Sequence, residues 1–429
     1  MEQKIIENIT KSVTLKGLMI AILTLMLLIP GAMIQGLINE RQYTKNEAVQ
    51  KIDAKWSYAQ TVAGPVLVIP YFETEDRDGK KVVVENTLNI TPRMLNIEAD
   101  LQPEERHYGI YKTILYRSKV VMRGNFSLPE ASMPPVENIY WDRVYINLGL
   151  SDLRGISEEI AFTINGKSYG VHSSGKTDLL MNQVLQANIQ LLTPKAELEF
   201  LCEMDLKGSG SINFIPLGQT TNVSISGEWQ DPGFIGNYTP EYVIDESGFS
   251  AQWHILHYNR TIPDTWRNQS IAVKSDNCFG ISLIDTVDIY QQNMRSVKYA
   301  ILFIALTFVI FFFVELMSRR QIHIIQYLLV GVALILFYAL LLSLSEPIGF
   351  MWAYVISSMA TITLITVYSA GIFKNKKQTT ILAAILAVLY VFLYIILQLK
   401  EMALLAGSVG LFVILGVIMY LSNRVFGSN

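Results

Sequence analysis

Tyr299-Ala300-Ile301-Leu302-Phe303-Ile304-Ala305-Leu306-Thr307-Phe308-Val309-Ile310-Phe311-Phe312-Phe313-Val314-Glu315-Leu316 carries one charge, Glu315, close to its end. A helix crossing about 30 Å of hydrocarbon needs on the order of 20 apolar residues, and about 17 at the least. Four more runs of that kind follow, at residues 324–344, 349–373, 380–397 and 403–421, and none holds a charge. Five in succession read as spanning helices, because in lipid only a helix bonds all of its own backbone. A sixth run opens the chain at residues 18–34 and extends through Gln35 to Ile38. It exceeds the apolar core of about 7–15 residues found in a signal peptide. Ile29-Pro30-Gly31-Ala32-Met33 also offers no small-x-small cleavage pattern, so the run reads as an uncleaved anchor.

Composition agrees with this reading. The 429 residues are 51% hydrophobic and 17% charged, whereas soluble chains carry about a quarter charged residues. With 34 basic and 37 acidic residues, a disordered or nucleic-acid-binding chain is excluded. Orientation follows from lysine and arginine in the short connections. Lys4, Lys11, Lys16, Arg319, Arg320, Lys374, Lys376, Lys377 and Arg424 share one face, and the other has Lys400. Both termini are therefore expected in the cytoplasm.

The polar stretch between the first and second spans reads as β-rich. Lys81-Val82-Val83-Val84-Glu85, Leu95-Asn96-Ile97-Glu98-Ala99, Val144-Tyr145-Ile146-Asn147-Leu148, Ala161-Phe162-Thr163-Ile164 and Val223-Ser224-Ile225-Ser226-Gly227 have strand patterning. Asp78-Gly79, Asn165-Gly166 and Glu246-Ser247-Gly248 mark tight turns. Residues 42–58 lack Gly and Pro and space Val49, Ile52 and Trp56 as a helix would. The expected fold is an α+β membrane protein: six transmembrane helices, one plus five, with a large β-rich antiparallel extracytoplasmic domain between the first and second. Its segments are a cytoplasmic N-terminus (1–17), the first helix (18–38), a periplasmic domain (39–295), a five-helix domain (299–421) and a cytoplasmic tail (422–429).

The search for chemistry is mostly negative. His254 and His257 stand three apart, which puts them on opposite faces of a strand. Asn165-Gly166-Lys167-Ser168 lacks the first glycine of a phosphate loop, since Ala161 stands there, and reads as a hairpin turn. The one polar cluster in the membrane-embedded part is Glu315, Arg319, Arg320, His323 and Gln326, with Tyr327 next to it. It reads first as an interhelical clamp, and second as a site responding to a ligand or proton. Glu346 sits at the outer surface, where water can reach it. Cys202 and Cys278 either pair in an oxidising compartment or stand as two buried thiols. No catalytic, metal or cofactor residues are expected.

Several stretches in order resemble the CreD family of inner-membrane proteins, named for cell-envelope integrity. They include Gly64-Pro65-Val66-Leu67-Val68-Ile69-Pro70-Tyr71, Leu148-Gly149-Leu150-Ser151-Asp152-Leu153-Arg154-Gly155-Ile156 and Gly248-Phe249-Ser250-Ala251-Gln252-Trp253. They continue with Arg295-Ser296-Val297-Lys298-Tyr299 and the run after it, then Ile322-His323-Ile324-Ile325-Gln326-Tyr327. The chain departs from the family pattern in having Ile324 where Pro is frequent and Pro347 where His is frequent. The second departure removes a Glu–His pair at Glu346. The resemblance implies a non-enzymatic protein of the bacterial inner membrane that supports envelope integrity and stress resistance through its periplasmic domain. The partners then expected are membrane lipids and an envelope protein, lipid or cell-wall component, with no nucleic acid. The alternative is a transporter or lipid-handling protein using the C-terminal helices.

Overall fold

The computed structural model describes residues 13–77, 80–174, 181, 183–191, 197–268, 277–283, 288–318, 321–399 and 403–426. The chain divides into two compact units, Met1–Asn46 with Val287–Asn429, and Glu47–Thr286.

The first unit is helical. α1 (Val13–Met26) and α2 (Leu28–Trp56) are almost continuous, since the Leu27 amide still donates to the Leu23 carbonyl at 3.1 Å. Pro30 has no N–H, and its ring crowds the carbonyl four residues back, which accounts for the break at Leu27. α3 (Ile289–Lys298) is a short amphipathic helix capped by Asp288, whose carboxylate accepts the Tyr290 amide at 2.9 Å. It bends by 45° into α4 (Ala300–Ser318). α5 (Ile324–Ile348) and α6 (Phe350–Phe373) are joined by Gly349 alone, at φ +79°. α6 ends at Lys374, and Asn375 caps α7 (Lys376–Gln398) by accepting the Lys377 amide at 3.0 Å. Connections this short make α5, α6 and α7 antiparallel neighbours. α8 (Ala403–Phe426) is apolar over Leu405–Gly416.

Among the described residues, four helices are long and apolar enough to cross a membrane: Leu15–Trp56, Ile324–Ile348, Phe350–Phe373 and Lys376–Gln398. The bent pair Ile289–Lys298 and Ala300–Leu316 adds a fifth if it counts as one span. Lipid supplies no hydrophobic drive between helices, so they hold by close packing. At Gly331 of α5 an added Cβ would sit 2.3 Å from Leu27 and 2.9 Å from Phe308.

Among the described residues the second unit holds sixteen strands. In chain order they are β1 (Gln60–Arg77), β2 (Lys80–Ile90), β3 (Met94–Tyr108), β4 (Tyr111–Ser127), β5 (Tyr145–Leu150), β6 (Ala161–Ile164), β7 (Lys167–Ser173) and β8 (Gln183–Asn188). β9 (Glu197–Ser209), β10 (Ser211–Ile215), β11 (Thr220–Gly227), β12 (Gly233–Gly236), β13 (Glu241–Asp245), β14 (Gly248–Leu256), β15 (Thr265–Arg267) and β16 (Phe279–Ser282) follow. Their spatial order is β12-β16-β10-β1-β5-β8-β7-β6-β9-β4-β3-β11-β14-β13, with β2 on β1 and β15 on β2. Trp253 of β14 meets Phe279 of β16 at 5.3 Å, so the ends of the sheet fold together around one apolar core.

Each strand proposed from alternation is present. Asn165-Gly166 makes the β6–β7 hairpin with both residues at positive φ, and Glu246-Ser247 joins β13 to β14. Asp78-Gly79 lies outside the described residues. The expectation of an antiparallel domain needs correction, because β1 pairs parallel with β10 and β3 parallel with β11. Alternation reports which face a residue takes and is silent on the direction of the neighbouring strand. Parallel neighbours need long crossovers, and these two arise between strands far apart in the chain.

Candidate functional site

Glu315 lies in the last turn of α4 and is 6% exposed. Its Oε1 faces the Lys16 ammonium of α1 in a direct ion pair, and Lys16 is 7% exposed. The same oxygen accepts the Ile322 amide at 2.8 Å, and Oε2 accepts the Tyr327 hydroxyl at 2.8 Å. Phe308 and Phe311 stand edge-on to the Tyr327 ring, with centroids at 5.8 and 6.2 Å. A carboxylate taken out of water is tolerated only when paired and fully hydrogen-bonded. Here three donors from three segments meet that need, and they tie α1, the end of α4 and the start of α5 together.

Two residues of the sequence cluster, His323 and Gln326, bond each other. They form a reciprocal cap on α5: Gln326 Oε1 accepts the His323 amide at 3.0 Å, and His323 Nδ1 faces the Ile325 amide at 3.5 Å. His323 is exposed. Arg319 and Arg320 lie outside the described residues. Sequence reasoning set Tyr327 beside the Glu315 cluster and missed Lys16. In the sequence Lys16 counts only toward topology, because a lysine before an apolar run does not show which distant carboxylate it meets.

A second polar layer joins other helix ends of the same unit. Tyr290 of α3 donates to Glu346 at 3.0 Å, and Asn293 Nδ2 to Ser345 Oγ at 2.8 Å. Lys45 of α2 lies 3.6 Å from Asp288 and 5.5 Å from the Tyr290 ring centre. Tyr290 and Asn293 of α3 are thus used in packing.

In the sheet unit the end of α2 is clamped to the strands. Arg154 donates to the Ala54 carbonyl at 2.7 Å and, through Nη2, to Asp152 at 2.8 Å. Asp152 also accepts the Ser57 hydroxyl and the Tyr58 amide, each at 3.2 Å. Burial pushes the Asp152 carboxyl up, but the Arg154 guanidinium and the Tyr58 and Arg154 amides outweigh it and hold it at about 2. Trp56, closing α2, lies between Arg117 and Lys207 at 5.6 and 5.1 Å.

One face of the β4-β3-β11-β14 sheet is polar. Asn222 donates to Asn96 at 2.7 Å, and His254 Nδ1 lies 2.7 Å from Asn222 Oδ1, so a row of amide and imidazole groups crosses three strands. It floors an open depression of about 530 Å³, bordered by Glu98 and Glu241. His257 turns aside to stack on Tyr258 at 3.9 Å. Among the described residues no three His, Cys, Asp or Glu side chains converge as a metal site would need. Cys202 is buried on β9 opposite Met122 and Phe162, and burial pushes its thiol up to about 12. Cys278 is half-buried before β16, and no bridge joins the two.

A family model described as inner membrane protein CreD matches residues 12–426, nearly all of both units. The chain belongs to the CreD family. Among curated relatives, the inner membrane protein CreD of Escherichia coli (strain K12) is 27% identical over 418 residues, covering 94% of this chain and 90% of that protein. Family membership and the apolar helices together make this a multi-pass inner-membrane protein. Within the CreD frame, the Lys16–Glu315–Tyr327 centre belongs to the membrane helices and the Asp152–Arg154 clamp to the strand-bearing part.

Proposed function

We propose that this protein is a non-enzymatic support of cell-envelope integrity, anchored by six membrane helices and acting through a periplasmic sheet unit. The observation that carries the proposal is where the open polar surface lies. Glu315 is saturated by Lys16, Ile322 and Tyr327 and serves as a fastener. The row of Asn96, Asn222 and His254 in the sheet unit stands open to a ligand or partner. The likeness to a family named for envelope integrity supports the same reading. The six spans are the α1–α2 rod, the bent pair α3–α4, and α5, α6, α7 and α8. Both chain ends are then cytoplasmic, and residues 39–295 lie outside.

Deleting the gene should raise sensitivity to detergents and β-lactams, and the full chain should restore resistance. Unchanged sensitivity across such stresses removes the proposal. A transporting bundle would instead lose activity in Glu315→Gln at normal protein level. The envelope reading expects any loss there to follow the loss of folded protein.

A further inference from the structure

Among the described residues, two of the open strand edges of the sheet unit stand out. β13 ends the sheet, pairing with β14 alone, and no described backbone bond leaves its outer edge. Its core-side residues Tyr242 and Ile244 stand opposite Ala251 and Phe249, both buried. Tyr242 and Ile244 themselves are 54% and 42% exposed, and Val243 on the opposite face is 66% exposed. The apolar row of the core therefore runs onto the last strand, where Tyr242 leans on Phe234 at 4.5 Å while the outer side of the strand stays open among the described residues. A bare apolar edge of this kind is a template for strand addition.

The second edge is the first half of β2. Only its last three residues meet β15, whereas residues 80–86 pair on one side with the end of β1. This two-stranded ribbon carries Lys80-Lys81-Val82-Val83-Val84, with Val83 64% exposed. Isolated two-stranded ribbons are marginally stable in water. Among the described residues Lys80 and Lys81 make no ion pair.

The two edges complement each other in charge. At the β13–β14 turn, Glu105, Glu228, Asp231 and Glu246 line a depression of about 650 Å³, where Lys112 is the one basic residue lining it. If β2 is laid antiparallel on β13 with Val83 opposite Val243, Val82 and Val84 cover Ile244 and Tyr242. That register brings Lys81 to Asp245 and Lys80 to Glu246. The parallel direction carries the lysines away from this depression.

We infer that the sheet unit docks a second copy of this chain, the residue 80–84 edge of one copy adding antiparallel to β13 of the other. The two surfaces differ, so the contact is heterologous. Cross-strand apolar pairs hold it, and the lysines against the acidic turn set its direction.

The test co-expresses two differently tagged full-length copies in membranes, one carrying Val83→Cys and the other Val243→Cys, and treats them with a short, membrane-permeant bis-maleimide. A band bearing both tags is expected, well above that of the wild-type pair, whose own cysteines set the background. Adding Lys80→Glu and Lys81→Glu to the first copy should lower it about tenfold, and Glu228→Lys with Glu246→Lys in the second should restore it. Rescue by charge exchange is a response that misfolding cannot imitate. The inference is overturned if the band does not exceed background. It is equally overturned if the band ignores the charge reversals, or if copies that all carry the same single cysteine crosslink as strongly.

Discussion

At Glu315 the balance of burial and pairing makes a sharp prediction. Removing one member of a buried ion pair strands the other charge and costs about 3–5 kcal/mol. Lys16→Met should therefore lower the melting temperature of the detergent-solubilised protein sharply, and Glu315→Gln should do the same. The double variant should recover much of the loss, because an apolar group of similar volume then faces a neutral amide that keeps the Ile322 and Tyr327 contacts. Additive losses on the melting curve would contradict this coupling. Asp152 makes a prediction about acid. Its carboxyl is held at about 2, below the ordinary 3.8, so the folded form favours the charged state. A depressed carboxyl contributes stability above its unfolded value and loses it as pH falls through about 2. Arg154 is half-exposed and water screens the pair, so the contribution is about 1 kcal/mol. Unfolding of wild type and Asp152→Asn followed between pH 5 and 2 should show the gap between the two curves closing toward the acid end.

Elements depend on single joints in the same way. Gly349 sits at φ +79° and ψ 160°, a region that side chains avoid, and it is the whole connection between α5 and α6. Gly349→Ala should cost about 1–3 kcal/mol although the site has room for a methyl group, a loss readable in thermal melts. At the end of α2, Arg154→Lys keeps the charge but loses the fork that reaches both Ala54 and Asp152. Hydrogen exchange at the amides of the last turn of α2 should then accelerate, with exchange in β3 and β4 unaltered. These joints also mark how far the sequence could be read. Asn165-Gly166 was legible because only such residues take two positive φ angles in a row, and the spans were legible because lipid demands long apolar helices. α3 was not legible. Gln292, Asn293 and Ser296 look like exported loop, and only the tertiary partner Ser345 explains the burial of Asn293. The parallel neighbours of β1 and β3 were equally hidden, because the residues that select them lie more than a hundred positions away. Of the polar cluster, Glu315 and the neighbouring Tyr327 were legible, and Lys16 was not. A lysine about three hundred residues earlier leaves no local signature.

The whole molecule turns on which side of the membrane each helix end faces. The Lys16–Glu315 pair brings the start of α1 beside the end of α4. α5 begins there, α6 runs back, and the lysines at 374, 376 and 377 fall at the α6–α7 connection. Of the basic residues expected to share a face, Lys16, Lys374, Lys376 and Lys377 stand at helix ends that packing and short turns connect. Lysine and arginine next to a span resist export, so that side is expected to be cytoplasmic. At the opposite ends lie Lys45, Asp288, Tyr290 and Glu346, paired among themselves and carrying no surplus of positive charge. The expected outcome is a labelling pattern. A cysteine at Tyr258, a highly exposed position of the sheet unit, should react with an impermeant maleimide in intact spheroplasts. One at Lys376 should react only after the membrane is opened. If Tyr258→Cys is protected until lysis, the strand-bearing unit is cytoplasmic. An envelope role acting from outside the membrane would then have no surface to act through.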